Sequence, residues 1–158
     1  MKKIAIVTLS DFNNYGNRLQ NYALERIITS QGYDVVSLVD FRPNLLKTSV
    51  KTIIKKDGIK FTDRMKKIRR LKNFLDFDKK YVNTFPVNAG EFSSVSDDEY
   101  HCFIVGSDQV WNPDWAKYTY DRMFLRFCSP TKRISYAASF GVDKIPEKWV
   151  DKYKAGLI

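Results

Sequence analysis

Asp108 has the neighbours that acid–base chemistry needs. It follows Gly106 and Ser107 at the end of an apolar run, Cys102-Phe103-Ile104-Val105. A carboxylate just past a buried strand can take a proton or bind a pair of hydroxyls, and an Asp there equally suits a helix N-cap. Two other places gather small and polar residues in the same way: Ser10 to Gly16 after Ile4-Ala5-Ile6-Val7-Thr8, and Ser139-Phe140-Gly141 after Arg133-Ile134-Ser135-Tyr136-Ala137-Ala138. Where Tyr15-Gly16-Asn17-Arg18 opens a helix, free backbone N–H groups and Arg18 suit a phosphate or carboxylate. The plainer reading makes Asn17 a cap and leaves Arg18 in solvent. Trp111 and Trp115 offer flat faces for a sugar ring, although tryptophans in such a turn more often pin it to a core.

Other chemistries find little support. His101 is the only histidine and precedes its strand, at the end away from these loops, so a Ser-His-Asp arrangement is not indicated. Cys102 and Cys128 form no C-x-x-C pair; neither a zinc site nor a disulfide framework is expected, and a reduced, cytoplasmic setting fits. No metal ligands are assigned.

The elements that must position these loops follow from hydrophobic pattern. The unbroken run in Lys3 to Leu9 suits a strand buried on both faces, the mark of a parallel sheet. After Gly16, Leu19, Tyr22, Ala23 and Ile27 recur at helical spacing until Gly32, and Tyr33 to Val39 reads as a second strand, completing a βαβ unit. Strands are expected again at Cys102–Val105 and Arg133–Ala138, and a helix from Ile145-Pro146-Glu147-Lys148. The class is α/β, and in a doubly wound sheet the three polar strand ends share one edge, where ligand crevices form.

The charge of +9 on 158 residues is concentrated. Residues 47–80 hold thirteen Lys and Arg against four Asp, and the remainder is balanced. This stretch falls in a basic insert, at about 42–80, that breaks the strand pattern. Its better helix runs from Ile59 to Asp78, with Phe61, Met65, Ile68, Leu71 and Leu75 along one side. The plainest expectation packs the Met65 and Ile68 side on the domain and leaves the charges solvated. No apolar run is long enough to span a bilayer, and the N-terminal run ends too soon for a signal peptide.

Three segments, in order, resemble motifs of the polysaccharide pyruvyl transferase family: Asn13-Asn14-Tyr15-Gly16-Asn17-Arg18-Leu19-Gln20-Asn21-Tyr22-Ala23-Leu24, Phe103-Ile104-Val105-Gly106-Ser107-Asp108-Gln109-Val110-Trp111-Asn112-Pro113 and Ile134-Ser135-Tyr136-Ala137-Ala138-Ser139-Phe140-Gly141. The resemblance implies two Rossmann-like lobes facing across a glycosyltransferase-B-like cleft, in a chain about twice this length, of which residues 1–158 form the N-terminal lobe and lack the C-terminal one. It implies transfer of the pyruvyl group of phosphoenolpyruvate, the donor substrate, onto two hydroxyls of a bacterial surface-glycan sugar as a ketal, as in exopolysaccharide biosynthesis. No further cofactor is called for, and this lobe alone is expected to be inactive. Carried over residue by residue, Asp108 is the candidate catalytic acid, base or acceptor binder. Asn14, Tyr15, Gly16, Asn17 and Gln20 are cleft residues of the first loop. Ser107, Gln109, Ser139 and Gly141 line the cleft, and Arg18 is an anion contact.

The other class of function is a non-enzymatic module. Its basic helix 59–78 would meet an anionic membrane or, as the less favoured partner, nucleic acid. A related glycosyl transfer on the same fold is a third reading. The first two are compatible if the glycan acceptor is lipid-linked and the enzyme works at the inner face of the membrane through residues 47–80.

Overall fold

The computed structural model describes residues 2–11, 14–39, 44–55, 57–87 and 91–157, with 116 and 117 described by backbone only. Asn13 of the first motif and the start of the insert at residue 42 lie outside them.

Five parallel strands make the sheet: β1 (Lys3–Val7), β2 (Asp34–Val39), β3 (Thr84–Pro86), β4 (Cys102–Asp108) and β5 (Arg133–Ala138), in the spatial order β3-β2-β1-β4-β5. Helices α1 (Tyr15–Ser30), α2 (Leu45–Ile54), α3 (Phe61–Tyr81), α4 (Ala116–Met123) and α5 (Glu147–Leu157) connect and flank them. The α/β fold expected from the sequence is present. The chain builds outward from β1 through β2 to β3 and then returns to place β4 on the other side of β1. That reversal sets the polar carboxyl ends of β1 and β4 side by side, where open α/β sheets bind ligands.

Strand β1 is buried on both faces because side chains alternate. Ala5 and Val7 join Phe92, Phe103, Val105, Met123 and Leu125 on one side, while Ile4 and Ile6 join Leu24, Val35 and Ile104 on the other. A third cluster of Tyr120, Phe124 and Tyr153, with Trp111 and Phe140 against it, ties α4 and α5 to the strand-end loops. Two elements were not anticipated: β3, three residues ending in Pro86 at the sheet edge, where a proline is tolerated, and α4, whose Tyr- and Thr-containing stretch lacks helix signals. Strand β5 forms the opposite edge and leaves Ile134 and Tyr136 exposed.

Helix α1 corrects the expectation. Its apolar positions Leu19 and Ile27 face solvent, and the buried side is Asn17, Arg18, Asn21, Leu24 and Glu25. The reason is a polar seam with the neighbouring segments. Ser37 Oγ lies 3.0 Å from Asn21 Oδ1 and 3.4 Å from Glu25 Oε2, and the Asn83 N–H donates to Glu25 Oε1 at 3.0 Å. Asn83 also donates from Nδ2 to the Val35 carbonyl at 2.8 Å, so the segment after α3 is sewn to both α1 and β2.

Burial pushes the Glu25 carboxyl above its ordinary value, more than the hydrogen bonds from Asn83 and Ser37 pull it down. The folded chain therefore holds this proton more tightly than the unfolded one, and the stability it contributes is full below the unfolded value of about 4.3 and lost as pH rises through the folded value. Urea unfolding at several pH values checks this: the midpoint of Glu25→Gln should gain on the unsubstituted protein as pH rises from 4 to 7, and parallel midpoints would refute it.

Candidate functional site

The second and third motifs are knitted together beyond the ends of β4 and β5. The Ser139 N–H donates to the Asp108 carbonyl at 2.9 Å, and the Trp111 N–H donates to the Ser139 carbonyl at 3.1 Å. Two glycines make this junction possible. A Cβ on Gly106 would fall 2.1 Å from the Tyr136 carbonyl oxygen, and one on Gly141 would fall 2.3 Å from Gln109 Oε1. Both also hold positive φ, +118° and +64°, conformations that glycine adopts without steric cost. The backbone that approaches Gly106 closely is that of β5. The side chain of Gln109 lies over Gly141 and accepts from Asn112 Nδ2 at 3.1 Å.

Asp108 sits half-buried with φ +82°, a region that Asp tolerates better than most residues. Its carboxylate accepts the Gln109 N–H at 2.7 Å, so it braces its own turn; no helix begins there, and the N-cap reading fails. Ser107 offers its carbonyl to Thr8 Oγ1 at 3.4 Å, joining the end of β4 to that of β1. Trp111 pins its loop: the indole N–H donates to the Met123 carbonyl at 2.8 Å, the ring stacks on Phe124, and the Tyr153 hydroxyl donates to the Trp111 carbonyl at 2.8 Å. That hydroxyl is pushed up to about 12, chiefly by burial.

The first motif is arranged differently from the expectation. The N-cap of α1 is Asn14, whose Oδ1 accepts from the Gly16 and Asn17 N–H groups at 2.9 and 3.4 Å, while its own N–H donates to Asp11 Oδ1. A neutral amide therefore occupies the donors that would meet an anion. Asn17 is buried in the first turn, and its Oδ1 has no hydrogen-bond partner among the described residues. Tyr15 stacks on Phe74 of α3, and Gln20 stays exposed.

Arg18 is the clear correction. It is 3% exposed, with Nε 3.1 Å from Asp78 Oδ1 and Nη2 donating to the Ser10 carbonyl at 2.8 Å. Burial lowers the guanidinium from its ordinary value, against the raising effects of Asp78 and Asp11. It serves the loop from within instead of facing an anion. Asp78 could not be matched to it from the sequence, because the two lie in different elements and nothing in either local pattern marks the pair. His101 is exposed, stacked on Tyr33 before β4, as expected.

The strand-end loops thus gather amides, hydroxyls and the carboxylates of Asp11 and Asp108 at the carboxyl ends of a parallel sheet. Among the described residues no group of three or more His, Cys, Asp or Glu could hold a metal ion, and no helix is long and apolar enough to cross a membrane. The fold is a Rossmann-like parallel α/β sheet whose second and third motifs meet at the carboxyl ends of β4 and β5. The chain belongs to the polysaccharide pyruvyl transferase family, whose model matches residues 14–154. No curated protein and no solved structure matches it significantly.

Two substitutions test these contacts by urea denaturation. Asp78→Ala, which strands the buried Arg18 charge, should cost about 3–5 kcal/mol, and the pair Arg18→Met with Asp78→Leu should recover most of that. Gly106→Ala should cost about 3 kcal/mol or more, because its methyl meets backbone that cannot rotate away. A wild-type midpoint for either single variant contradicts the geometry.

Proposed function

We propose that the protein is a pyruvyl transferase-like enzyme of the cytoplasm, acting on phosphoenolpyruvate and a sugar of a surface glycan, and that this chain is one of two lobes and inactive alone. The observation that carries the reading is the Asp108 junction: Gly106 to Gln109 and Ser139 to Gly141 meet at the carboxyl ends of β4 and β5, within the stretch that the family model matches.

The reaction has a definite proton balance. The methylene carbon of phosphoenolpyruvate takes up a proton, leaving cationic character on the adjacent carbon. One sugar hydroxyl adds there and loses its proton to a base, the C–O bond to phosphate breaks, and a second hydroxyl closes the ketal, releasing its proton in turn. The departing phosphate oxygen takes up the other of the two hydroxyl protons, and inorganic phosphate is the second product. Asp108 suits the base that takes hydroxyl protons, and its position between Ser107 and Gln109 suits the binding of a diol. The donor's phosphate and carboxylate need cations. Arg18 is committed to Asp78, so the reading assigns donor binding to basic residues of the second lobe and acceptor binding to this one.

Phosphate release from phosphoenolpyruvate, followed with a panel of sugar acceptors, tests the proposal on the chain alone and on a polypeptide that includes a second lobe. The two-lobe protein should be active and the single lobe not, and Asp108→Ala should lower kcat/KM about 10²–10⁴-fold. Acceptor-independent inactivity of the two-lobe protein, or an unchanged rate in the variant, would overturn it.

A further inference from the structure

Helix α2 turns its apolar side outward. Its half-buried positions are Leu45, Thr48, Ser49 and Thr52, spaced for one helical face, and Arg64 of α3 donates to the Thr52 carbonyl. The opposite stripe is Leu46, Val50, Ile53 and Ile54, with Leu46 78% and Ile54 69% exposed, and no residue of α2 is buried. A helix that packs on its own domain does the reverse, hiding the apolar stripe and showing the Thr and Ser. The first turns of α3, which Arg64 ties to the end of α2, add exposed Phe61 and Met65.

The charge around this stripe is uncompensated. Each of the four acids of the hairpin is already engaged: Asp57 with Arg64 and Lys55, Asp63 with Lys66, Asp76 with Lys72, and Asp78 with Arg18. Lys47 and Lys51, flanking the stripe on α2, Lys60 at the start of α3, and Lys67 and Arg69 on α3 have no acidic partner among the described residues.

We propose that the α2–α3 hairpin docks on an anionic lipid surface, with Leu46, Val50, Ile53 and Ile54 entering the headgroup layer and the lysines meeting lipid phosphates. An amphipathic helix lying in the interface needs this combination, an apolar stripe bordered by Lys. Nucleic acid would satisfy the cations and leave the apolar stripe in water, so the bilayer is the better match. At about 15 Å, α2 lies along a membrane and cannot cross it. The expectation that the basic helix 59–78 would itself provide the membrane face is thereby revised. The C-terminal half of α3 is anchored through Phe74 and Asp78, and the apolar contact belongs to α2. Because Asp78 grips Arg18, and Arg18 the Ser10 carbonyl, the docked hairpin is joined to the loop after β1.

Co-sedimentation with phosphatidylcholine vesicles, with and without phosphatidylglycerol, tests the proposal. Binding is expected only with the anionic lipid and should weaken as salt rises. Leu46→Ser with Ile54→Ser should lower the vesicle affinity about tenfold or more while leaving the urea midpoint unchanged, since both side chains already face water. A second readout needs no loss of binding. Cys102 and Cys128 are buried, so an environment-sensitive dye on Leu46→Cys reports that position alone and should shift to the blue on anionic vesicles. Indifference to anionic vesicles, equal binding to neutral ones, affinity unmoved by the two serines, or binding to duplex nucleic acid without vesicle binding would each overturn it.

Discussion

The buried ion pair between Arg18 and Asp78 is the contact on which the arrangement of the fold turns. A guanidinium taken almost wholly out of water must find a charge partner and hydrogen-bond acceptors, or it destabilises the fold by several kcal/mol. Meeting that requirement decides three things together. Helix α1 must present its polar side to the protein. Helix α3 must lie where Asp78 can reach, and the loop after β1 must offer the Ser10 carbonyl. The Glu25–Asn83 contact repeats the logic further along α1. A basic insert that looks dispensable by composition is thereby fastened to α1.

The junction of the second and third motifs rests on backbone proximity more than on side-chain chemistry. With glycine at 106 and 141, β4 can sit against the Tyr136 carbonyl and the Gln109 side chain can lie flat over the turn after β5. Trp111, Phe124, Phe140 and Tyr153 then hold that turn from behind. Asp108 lies there between the neutral side chains of Ser107 and Gln109. The aromatic residues that invite a stacking role with a sugar are, at Trp111, structural.

The hairpin shows the opposite economy. Where α3 meets α1 the contacts are buried and charged groups are matched, but α2 keeps Thr48, Ser49 and Thr52 inside with Leu45 and leaves Leu46, Val50, Ile53 and Ile54 outside. Such an inversion wastes apolar burial within the fold. It becomes favourable when a second apolar phase is at hand, and the lysines bordering the stripe give that phase its sign. The strand-end loops and the hairpin are joined through α1 by the Arg18–Asp78 pair and the Tyr15–Phe74 stack.

The local pattern of residues by itself determined the α/β class, four of the five strands, α1, the main basic helix and α5, because unbroken apolar runs, helical spacing and Gly or Pro punctuation act over a few residues. It also marked the strand ends where Asp108, Ser139 and Gly141 meet, since polar and small residues after a buried strand have few other reasons to be there. Only the tertiary structure decided which side of α1 faces inward, that Asn14 and not Asn17 caps it, that Arg18 is matched with Asp78, and that α2 carries the exposed stripe. Each of these depends on a partner supplied by another element or on which face a neighbour covers. The choice between a solvated arginine and a buried one is made by long-range packing, to which hydrophobic periodicity is blind.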